Sequence, residues 1–258
     1  MLCAICKESI APVYEINSDT GAIVTQMLFG EICRITEKDG TWVKILVAYD
    51  NYEGWINEVQ LKYISEDFFD EVCTQKEKYY LNELTANVMS EQNTMTIVLG
   101  SSLPLFKDRY FFIGDEKYKL NSDEDYKCYK QTPERIVFFA SKYFNAPYLW
   151  GGRSPFGIDC SGFVQNVFKF CGYFLPRDVS QQKSCGEIIE NFVDAQKNDL
   201  LFFSRVETDG ICSQPKIVHV GIYLGNNKMI HAHGSVKVKN LDENGIKTHH
   251  LEMIRRIM

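Results

Sequence analysis

The stretch FGIDCSGFVQNVFKF, residues 156–170, decides the fold of the second half of the chain because it predicts an amphipathic helix with a cysteine at its first turn. The apolar residues after the cysteine recur with the period of one helix face: Phe163, Val164, Val167, Phe168 and Cys171. The first turn of a helix carries unpaired N–H groups and the positive end of the helix dipole. We therefore expect Cys160 to ionise easily and to act as a nucleophile that faces oxyanion donors. The alternative is a buried structural cysteine on a core helix.

The composition limits the class of protein. The chain has 258 residues, 45% of them hydrophobic, which is enough for a sizeable core and favours more than one domain. Its net charge of -6 argues against a nucleic-acid partner. No apolar run approaches the roughly 18 residues of a membrane span, and residues 1–15 lack the basic and apolar regions of a signal peptide. Nine cysteines, mostly in apolar contexts, are typical of reduced thiols. We expect a cytoplasmic protein, with a periplasmic or exported one as the alternative if a leader was removed.

Short alternating runs and turn residues divide the chain into three predicted domains. Residues 1–66 contain IVTQMLF, EICRITE, TWVKILVAYD and EGWINEVQ, which predict a small all-β barrel. Residues 67–130 begin with a charged, Tyr-rich connector and continue with LTANVMS, MTIVLG, YFFIG and EKYKL, which predict a second, more degenerate barrel. Residues 131–258 place helices first and strands after them, as in an α+β domain.

A cysteine nucleophile needs a base, and His219 is the first candidate. It lies in IVHVGIYLG, an alternating strand, and the turn residues GNN (225–227) lead to a return strand, KMIHAHG. With a three-residue loop, His231 lies opposite Gly221, His233 lies opposite His219, and the three imidazoles share one face of the hairpin. A two-residue loop would place His231 and His233 on the other face.

The remaining histidines have less defined roles. Either His231 or His233 would hold the imidazole of His219 in the right tautomer. The alternative is that this H-x-H pair binds a metal or lies on the surface. No Asp, Glu or Cys at suitable spacing completes a ligand set, so we expect no metal site. We expect His249 and His250, in a polar stretch, to be solvated.

Four sequence blocks, in this order, carry a resemblance: PYLWGGRSPFGIDCSGFVQ, LPRDVSQQ, NDLLFF and HVGIYLGNNKMIHAH. Residues 131–258 resemble the NlpC/P60 family of cysteine peptidases, which implies a papain-like fold, cleavage of cell-wall peptides and no cofactor. The resemblance assigns Cys160 as the nucleophile, His219 as the base and His231 as the third polar residue. It also assigns Tyr148 to the oxyanion site. MLFGEICRI, TWVKI and YEGWINEVQL resemble a bacterial SH3 (SH3b) domain.

The combination of SH3b domains with these motifs resembles one branch, the γ-D-glutamyl-L-diamino acid endopeptidases. These recycle murein peptides and require a free N-terminal L-Ala, so the implied partner is a small peptide, L-Ala-γ-D-Glu-diamino acid. The resemblance implies that Asp178 pairs with the substrate ammonium and that Tyr52 closes the pocket. Trp150 and Ser161 would line the site, and Asp159 precedes the nucleophile as in the family pattern. The alternatives are a helix N-cap role for Asp178 and an ordinary barrel aromatic for Tyr52.

Two departures from the branch pattern concern selectivity for the free amine. Val179 stands where a small residue is expected, and Ala22 stands where branch members often carry an acid. Glu15, Asp19 or Glu31 could replace that acid.

Three alternative functions stand beside the endopeptidase: a broader cell-wall peptide hydrolase, a non-catalytic wall-binding protein, and an acyltransferase or amidase on the same fold. The sequence leaves open the choice between Lys and meso-diaminopimelate, as well as the oligomeric state.

Overall fold

The computed structural model describes residues 2–122, 124, 126, 131–205, 216–241, 245–246 and 249–258. Their contacts divide the chain into two compact units. The first contains Met1–Cys128 and a short returning segment, Trp150–Pro155, and the second contains Tyr129–Leu149 and Phe156–Met258. The return of six residues to the first unit was not predicted. The predicted boundary at residue 130 lies outside the described residues, so the division into three domains stays a prediction.

The first unit begins with a seven-stranded antiparallel sheet, in the order β3-β2-β6-β5-β4-β1-β7. Its strands are β1 (Leu2–Cys6), β2 (Ile10–Tyr14), β3 (Ile23–Leu28), β4 (Ile32–Asp39), β5 (Trp42–Val47), β6 (Glu53–Asn57) and β7 (Leu61–Ile64). All four predicted strands are present. Strict alternation allows β5 to be predicted from the sequence, since Val43, Ile45 and Val47 are buried while their neighbours are partly exposed. A short 3-10 helix, Glu58–Gln60, separates β6 from β7.

The segment that was expected to be a connector begins with a helix, α1 (Glu66–Thr74). Ser65 is its N-cap, and the Ser65 hydroxyl accepts a hydrogen bond from the Phe68 N–H at 3.1 Å. Phe69 and Val72, three residues apart, form its buried face. A serine cap followed by acidic residues is a helix-start signal. The charged composition of this segment favoured a connector instead, so the helix was not predicted.

A four-stranded antiparallel sheet follows, in the order β10-β11-β8-β9. Its strands coincide with the predicted runs: β8 (Thr85–Met89), β9 (Thr94–Val98), β10 (Tyr110–Ile113) and β11 (Glu116–Asn121). One core joins the two sheets of the first unit, since Phe29 packs edge-on against Phe111 with ring centroids 6.0 Å apart. The description of this region as a second SH3b-like barrel stays a prediction. The returning segment adds β12 (Arg153–Ser154) beside β3.

The second unit is α+β, as predicted, with its helices before most of its strands. The helices are α2 (Ile136–Ser141), α3 (Cys160–Phe170) and α4 (Val179–Gln182), with 3-10 helices at Pro133–Arg135 and Phe192–Asp194. The strands are β13 (Gly157–Ile158), β14 (Glu187–Ile189), β15 (Leu200–Arg205), β16 (Ile217–Gly225), β17 (Lys228–His233), β18 (Ser235–Asn240), β19 (Gly245–Ile246) and β20 (His249–Arg256). The main sheet runs β14-β20-β15-β16-β17-β18, with β19 on β20.

Helix α3 packs against β16 and β17, and every one of its residues is buried. This packing sets the cysteine at the start of the helix beside the histidine strands. Among the described residues, no helix has the length and apolar composition needed to cross a membrane.

Candidate active site

The helix of the proposed nucleophile begins where the sequence predicts. Asp159 is the N-cap of α3, and its carboxylate accepts a hydrogen bond from the Gly162 N–H at 2.7 Å. Cys160 is the first helical residue and is only 7% exposed. Hydrogen bonds from the backbone at Val220 and Ser161 reach its sulfur. Because Val220 directly follows His219 in β16, these bonds hold the thiol against the strand that carries the candidate base.

The thiol of Cys160 is harder to ionise than the helix position alone suggests. Burial raises its pKa to about 12, and the charge of Asp159 acts in the same direction. The backbone hydrogen bonds and the Arg177 guanidinium lower it by less. The expectation of easy ionisation is therefore wrong for the resting enzyme, because burial outweighs the hydrogen bonds and the guanidinium charge that favour the thiolate. The resting group is a thiol, and a base must remove its proton during attack.

The hairpin that carries the histidines has the register expected for a three-residue loop, although its turn contains two residues. The turn contains only residues 226 and 227, both with positive φ (50° and 53°), between Gly225 and Lys228. A bulge between Tyr223 and Gly225 then restores the pairing of Ile222 with Ile230. A Cβ on Gly221 would lie 3.1 Å from Cβ of His231, as this register requires. The expectation that a two-residue turn would move His231 to the other face is wrong, because the bulge supplies the extra residue.

His219 and His231 form a direct pair. Nε2 of His219 and Nδ1 of His231 are 2.8 Å apart, and both rings are buried. For Nδ1 of His219 to accept a proton, its Nε2 must carry the hydrogen and donate it to Nδ1 of His231. That tautomer leaves the hydrogen of His231 on Nε2, which is buried and makes no hydrogen bond within the described part of the chain.

Both histidines of the pair are held neutral. Burial, followed by the charges of His231, His249 and His233, lowers the pKa of His219 well below 6.5. Burial lowers the pKa of His231 to about 3. A neutral imidazole beside a neutral thiol is suited to general-base catalysis, in which the proton moves as the sulfur attacks.

Two further histidines complete a cluster around His219. The ring of His233 lies 5.9 Å from that of His219 and stacks on His231, and its side chain is exposed. His249 is buried, with its ring 5.3 Å from that of His219, so the expectation that it is solvated is wrong. Pairing of β20 with β15 brings it there, a contact no local pattern predicts. His250 is exposed, as expected. In the described ranges no group of three His, Cys, Asp or Glu side chains is arranged to hold a metal ion.

Tyr148 lies close to the thiol. Its N–H donates to the carbonyl of Gly234 at 3.0 Å, which ties its backbone to the end of the histidine hairpin. Burial, with the charges of Cys160 and Asp159 acting in the same direction, raises the pKa of Tyr148 to about 12. The phenol therefore stays protonated and able to donate a hydrogen bond to a developing oxyanion.

A buried arginine that the sequence analysis did not single out holds the start of α3. The Arg177 guanidinium donates to both carboxylate oxygens of Asp159, at 2.6 and 3.0 Å, and to the Ser161 hydroxyl at 2.9 Å. Gln182 donates from its amide to the Ser161 carbonyl at 3.0 Å. Both residues belong to the LPRDVSQQ block. Their positions just before and at the end of a short helix were the sequence signal that could have identified them.

The predicted substrate-binding residues are distributed over the two units. Asp178 is the N-cap of α4 and is half-buried, and its N–H donates to the Gln181 side chain at 3.3 Å. Tyr52 is half-buried in the loop that leads into β6 of the first unit. Trp150 is 67% exposed at the start of the returning segment. The alternative reading of Asp178 as an N-cap has structural support, and the binding roles of all three stay predictions.

The returning segment is fixed within the first unit by a buried ion pair. The Arg153 guanidinium donates to the two Glu31 carboxylate oxygens at 2.8 and 2.9 Å, and both side chains are 97% or more buried. The Arg153 N–H also donates to the Gln26 side chain at 2.7 Å. Gly151 has a φ of +75°, and a Cβ there would lie 2.4 Å from the Ile23 carbonyl oxygen, so only glycine fits. The Glu31 carboxylate is thus engaged by an arginine of the returning segment.

A thiol at a helix start, beside paired histidines on an antiparallel sheet, defines the class as a cysteine peptidase of papain-like fold. Residues 145–255 match the NlpC/P60 family, and residues 14–61 match the family described as bacterial dipeptidyl-peptidase Sh3 domain. The chain belongs to the NlpC/P60 family of cysteine peptidases and carries an N-terminal, all-β, SH3-like region.

Individual proteins support both parts of this assignment. A γ-D-glutamyl-L-lysine dipeptidyl-peptidase of Bacillus subtilis is 33% identical over 81% of this chain and 72% of the relative. Dipeptidyl-peptidase 6 of Lysinibacillus sphaericus is 28% identical over 93% of this chain and 92% of the relative. The crystal structure of an NlpC/P60 family protein from Bacillus cereus has the same fold, with a TM-score of 0.81, 23% identity and 99% of each chain covered.

Proposed function

We propose that this enzyme hydrolyses the bond between γ-D-Glu and the diamino acid in small murein peptides. The observation that carries the proposal is the contact between His219 and His231, whose ring nitrogens are 2.8 Å apart. Val220, the residue after His219, forms a backbone hydrogen bond to the thiol of Cys160. The substrate class comes from relatives named γ-D-glutamyl-L-lysine dipeptidyl-peptidases.

The chemistry assigned to the site follows from the protonation states. As Sγ of Cys160 attacks the γ-carbonyl carbon, its proton passes to Nδ1 of His219, and the phenol of Tyr148 donates to the oxyanion. His231 accepts from the resulting imidazolium and stabilises it. The imidazolium then gives its proton to the departing amine, which leaves an acyl-enzyme thioester. His219 finally activates the water that releases the γ-D-Glu product and regenerates the thiol.

Selectivity for a free N-terminal L-Ala is the finer part of the proposal. A carboxylate is the natural partner of a primary ammonium, and an acylated amine offers it no charge. Asp178 is the residue assigned to this contact, and Ser161 of the same unit is the second residue assigned to substrate binding. Its N-cap position is compatible with this role, because an N-cap carboxylate is held in a fixed direction.

One observation favours a second candidate, a hydrolase that does not discriminate between free and acylated amines. Ala22 and Val179 replace residues expected in the selective branch. The Glu31 carboxylate, which could have replaced the missing acid, is bonded to Arg153. With fewer acidic groups available, the contribution of Asp178 decides between the two candidates.

The test is cleavage of L-Ala-γ-D-Glu-diamino acid and its N-acetylated twin, followed by mass spectrometry. Wild type is expected to release L-Ala-γ-D-Glu from the free peptide, and Cys160→Ala is expected to be inactive. Cys185→Ala, which changes a partly exposed cysteine away from the histidines, is the matched control and should keep full activity. Turnover by Cys160→Ala would overturn the assignment of the nucleophile.

Asp178→Asn separates the two candidate specificities. If the free-amine reading is right, wild type ignores the acetylated peptide, and Asp178→Asn raises KM for the free peptide at least tenfold. Equal cleavage of both peptides by wild type would favour the broader hydrolase. Running Lys and meso-diaminopimelate peptides in parallel identifies the preferred diamino acid.

A role in recycling wall peptides inside the cell is the last part of the proposal. It is supported by nine cysteines in mostly apolar contexts, of which the seven described are free thiols. Cell fractionation followed by detection of the protein tests it, and recovery outside the cytoplasm would contradict it.

A further inference from the structure

The carboxylate next to the proposed nucleophile caps the helix but also disfavours a negative charge on the sulfur. Asp159 precedes Cys160 and is buried, so its charge opposes formation of a thiolate beside it. The same carboxylate accepts from the Gly162 N–H and so fixes the first turn of α3. The site therefore needs a group that holds the Asp159 side chain in place as a cap while cancelling its field at the sulfur.

Arg177 has the geometry for that task. It is 1% exposed and forms a two-pronged ion pair with Asp159, at 2.6 and 3.0 Å. The prong that reaches Asp159 Oδ1 also donates to the Ser161 hydroxyl at 2.9 Å, so one guanidinium ties down the residues on both sides of Cys160. Planar, bidentate contact of this kind fixes direction as well as charge.

We propose that Arg177 is a positioning residue for the nucleophile: it acts through Asp159 and Ser161 to fix the first turn of α3 and to neutralise the carboxylate beside the thiol. The inference rests on the proposed role of Cys160 and extends it to a residue that does not touch the reacting atoms. Gln182 supports the same turn by donating to the Ser161 carbonyl at 3.0 Å. Loss of the guanidinium would leave a buried negative charge next to the sulfur, and thiolate formation would become harder.

The chain contains a matched control for an arginine that only stabilises the fold. Arg256 forms an equivalent two-pronged pair with the buried Asp199, at 2.9 and 2.7 Å, in the same unit. Arg256→Met therefore breaks a comparable ion pair far along the chain from the nucleophile helix. It should lower stability without changing the ionisation of Cys160.

The experiment measures the thiol itself and does not depend on any substrate. The full-length enzyme is treated with iodoacetamide at pH 8.5, and the rate of carbamidomethylation is read by mass spectrometry on the peptide that contains Cys160. Because this pH lies well below the thiol pKa of about 12, the rate is proportional to the fraction of thiolate. Arg177→Met is expected to lower the rate about tenfold or more, since a nearby charge shifts a pKa by about one unit or more. Arg256→Met is expected to keep the wild-type rate. Equal rates in Arg177→Met and wild type would overturn the proposal.

Two further variants separate charge from geometry. Arg177→Met combined with Asp159→Asn removes both charges while keeping a cap oxygen, so its alkylation rate should return towards wild type. A rate that stays as low as that of Arg177→Met would refute the electrostatic role. Arg177→Lys keeps the charge but not the planar two-pronged contact, and it also serves if Arg177→Met does not fold. Its rate should lie at least threefold below wild type and above that of Arg177→Met; a rate equal to wild type would refute the positioning role. If these changes in rate occur and no murein peptide is cleaved, the proposed function fails and the role of Arg177 stands.

Discussion

Acidification should destabilise the second unit through its buried histidines. The pKa of His231 lies near 3 in the folded protein because burial disfavours the imidazolium, whereas the unfolded chain has the ordinary value of 6.5. A group whose pKa is lowered on folding binds more protons when unfolded. Its contribution to stability is therefore fully present above pH 6.5 and is lost as the pH falls towards 3. His219, whose pKa is also lowered by burial, adds a loss in the same direction.

The size of the effect follows from the two pKa values of His231. Each unit between them corresponds to about 1.4 kcal/mol. At pH 5, which is 1.5 units below 6.5 and still above the folded value, His231 alone lowers the free energy of unfolding by about 2 kcal/mol. That is a large fraction of the ~5–15 kcal/mol by which domains of this size are stable.

Urea unfolding of wild type, His231→Asn and His250→Asn at pH 7.5 and pH 5 tests this reasoning. Wild type and His250→Asn, whose changed residue is exposed, should lose stability equally on acidification. His231→Asn will be less stable at pH 7.5, but its further loss at pH 5 should be smaller by about 2 kcal/mol. An identical loss in all three proteins would show that the buried imidazole of His231 does not drive the pH dependence.

Three other predictions concern the ion pair, the hairpin and the base. Glu31→Gln leaves the buried Arg153 guanidinium without its carboxylate and should cost about 3–5 kcal/mol in the free energy of unfolding of the first unit, read by urea titration. Gly221→Ala places a methyl group 3.1 Å from Cβ of His231 and should lower kcat about tenfold or more with a smaller change in KM. The acidic limb of the pH profile of kcat/KM should lie well below pH 6.5, because His219 stays neutral to that point.

Each of these has a matched control or a contradicting result. Glu58→Gln breaks the solvent-exposed pair with Lys38 and should cost far less stability than Glu31→Gln. Gly40→Ala changes a glycine whose Cβ would meet open space, so its kcat should match wild type even though its positive φ lowers stability. An acidic limb at or above pH 6.5 would mean that the neutral imidazole is not the form that limits turnover.

Local patterns were sufficient for the strands and for the start of the nucleophile helix. The alternation in β5 and the D-C-S-G step into α3 depend on neighbours in sequence, and both appear where they were expected. The register of the histidine hairpin is the one that the sequence associated with a three-residue loop, but alternation alone left two registers open. The bulge near Gly225 was not predicted, since a two-residue turn with a bulge and a three-residue loop give the same register.

Contacts between residues distant in sequence were the part that could not be predicted. Arg153 and Glu31 are 122 positions apart, and neither lies in a pattern that marks a buried charge. His249 looks solvated in its polar surroundings and becomes buried only because β20 pairs with β15. The ionisation of Cys160 was misjudged for the same reason: the helix end is a local feature, and the burial that outweighs it comes from the strands packed against α3.

The ion pair between Glu31 and Arg153 also limits how this gene can be cut and recombined. Matches of separate families to residues 14–61 and 145–255 suggest two exchangeable cassettes. However, the arginine that neutralises the Glu31 carboxylate is encoded inside the second cassette, 122 codons downstream. An N-terminal cassette moved to another gene would bury the Glu31 carboxylate without the Arg153 guanidinium that pairs with it. Glu31 and Arg153 must therefore be inherited together, although they belong to segments that sequence comparison treats as independent.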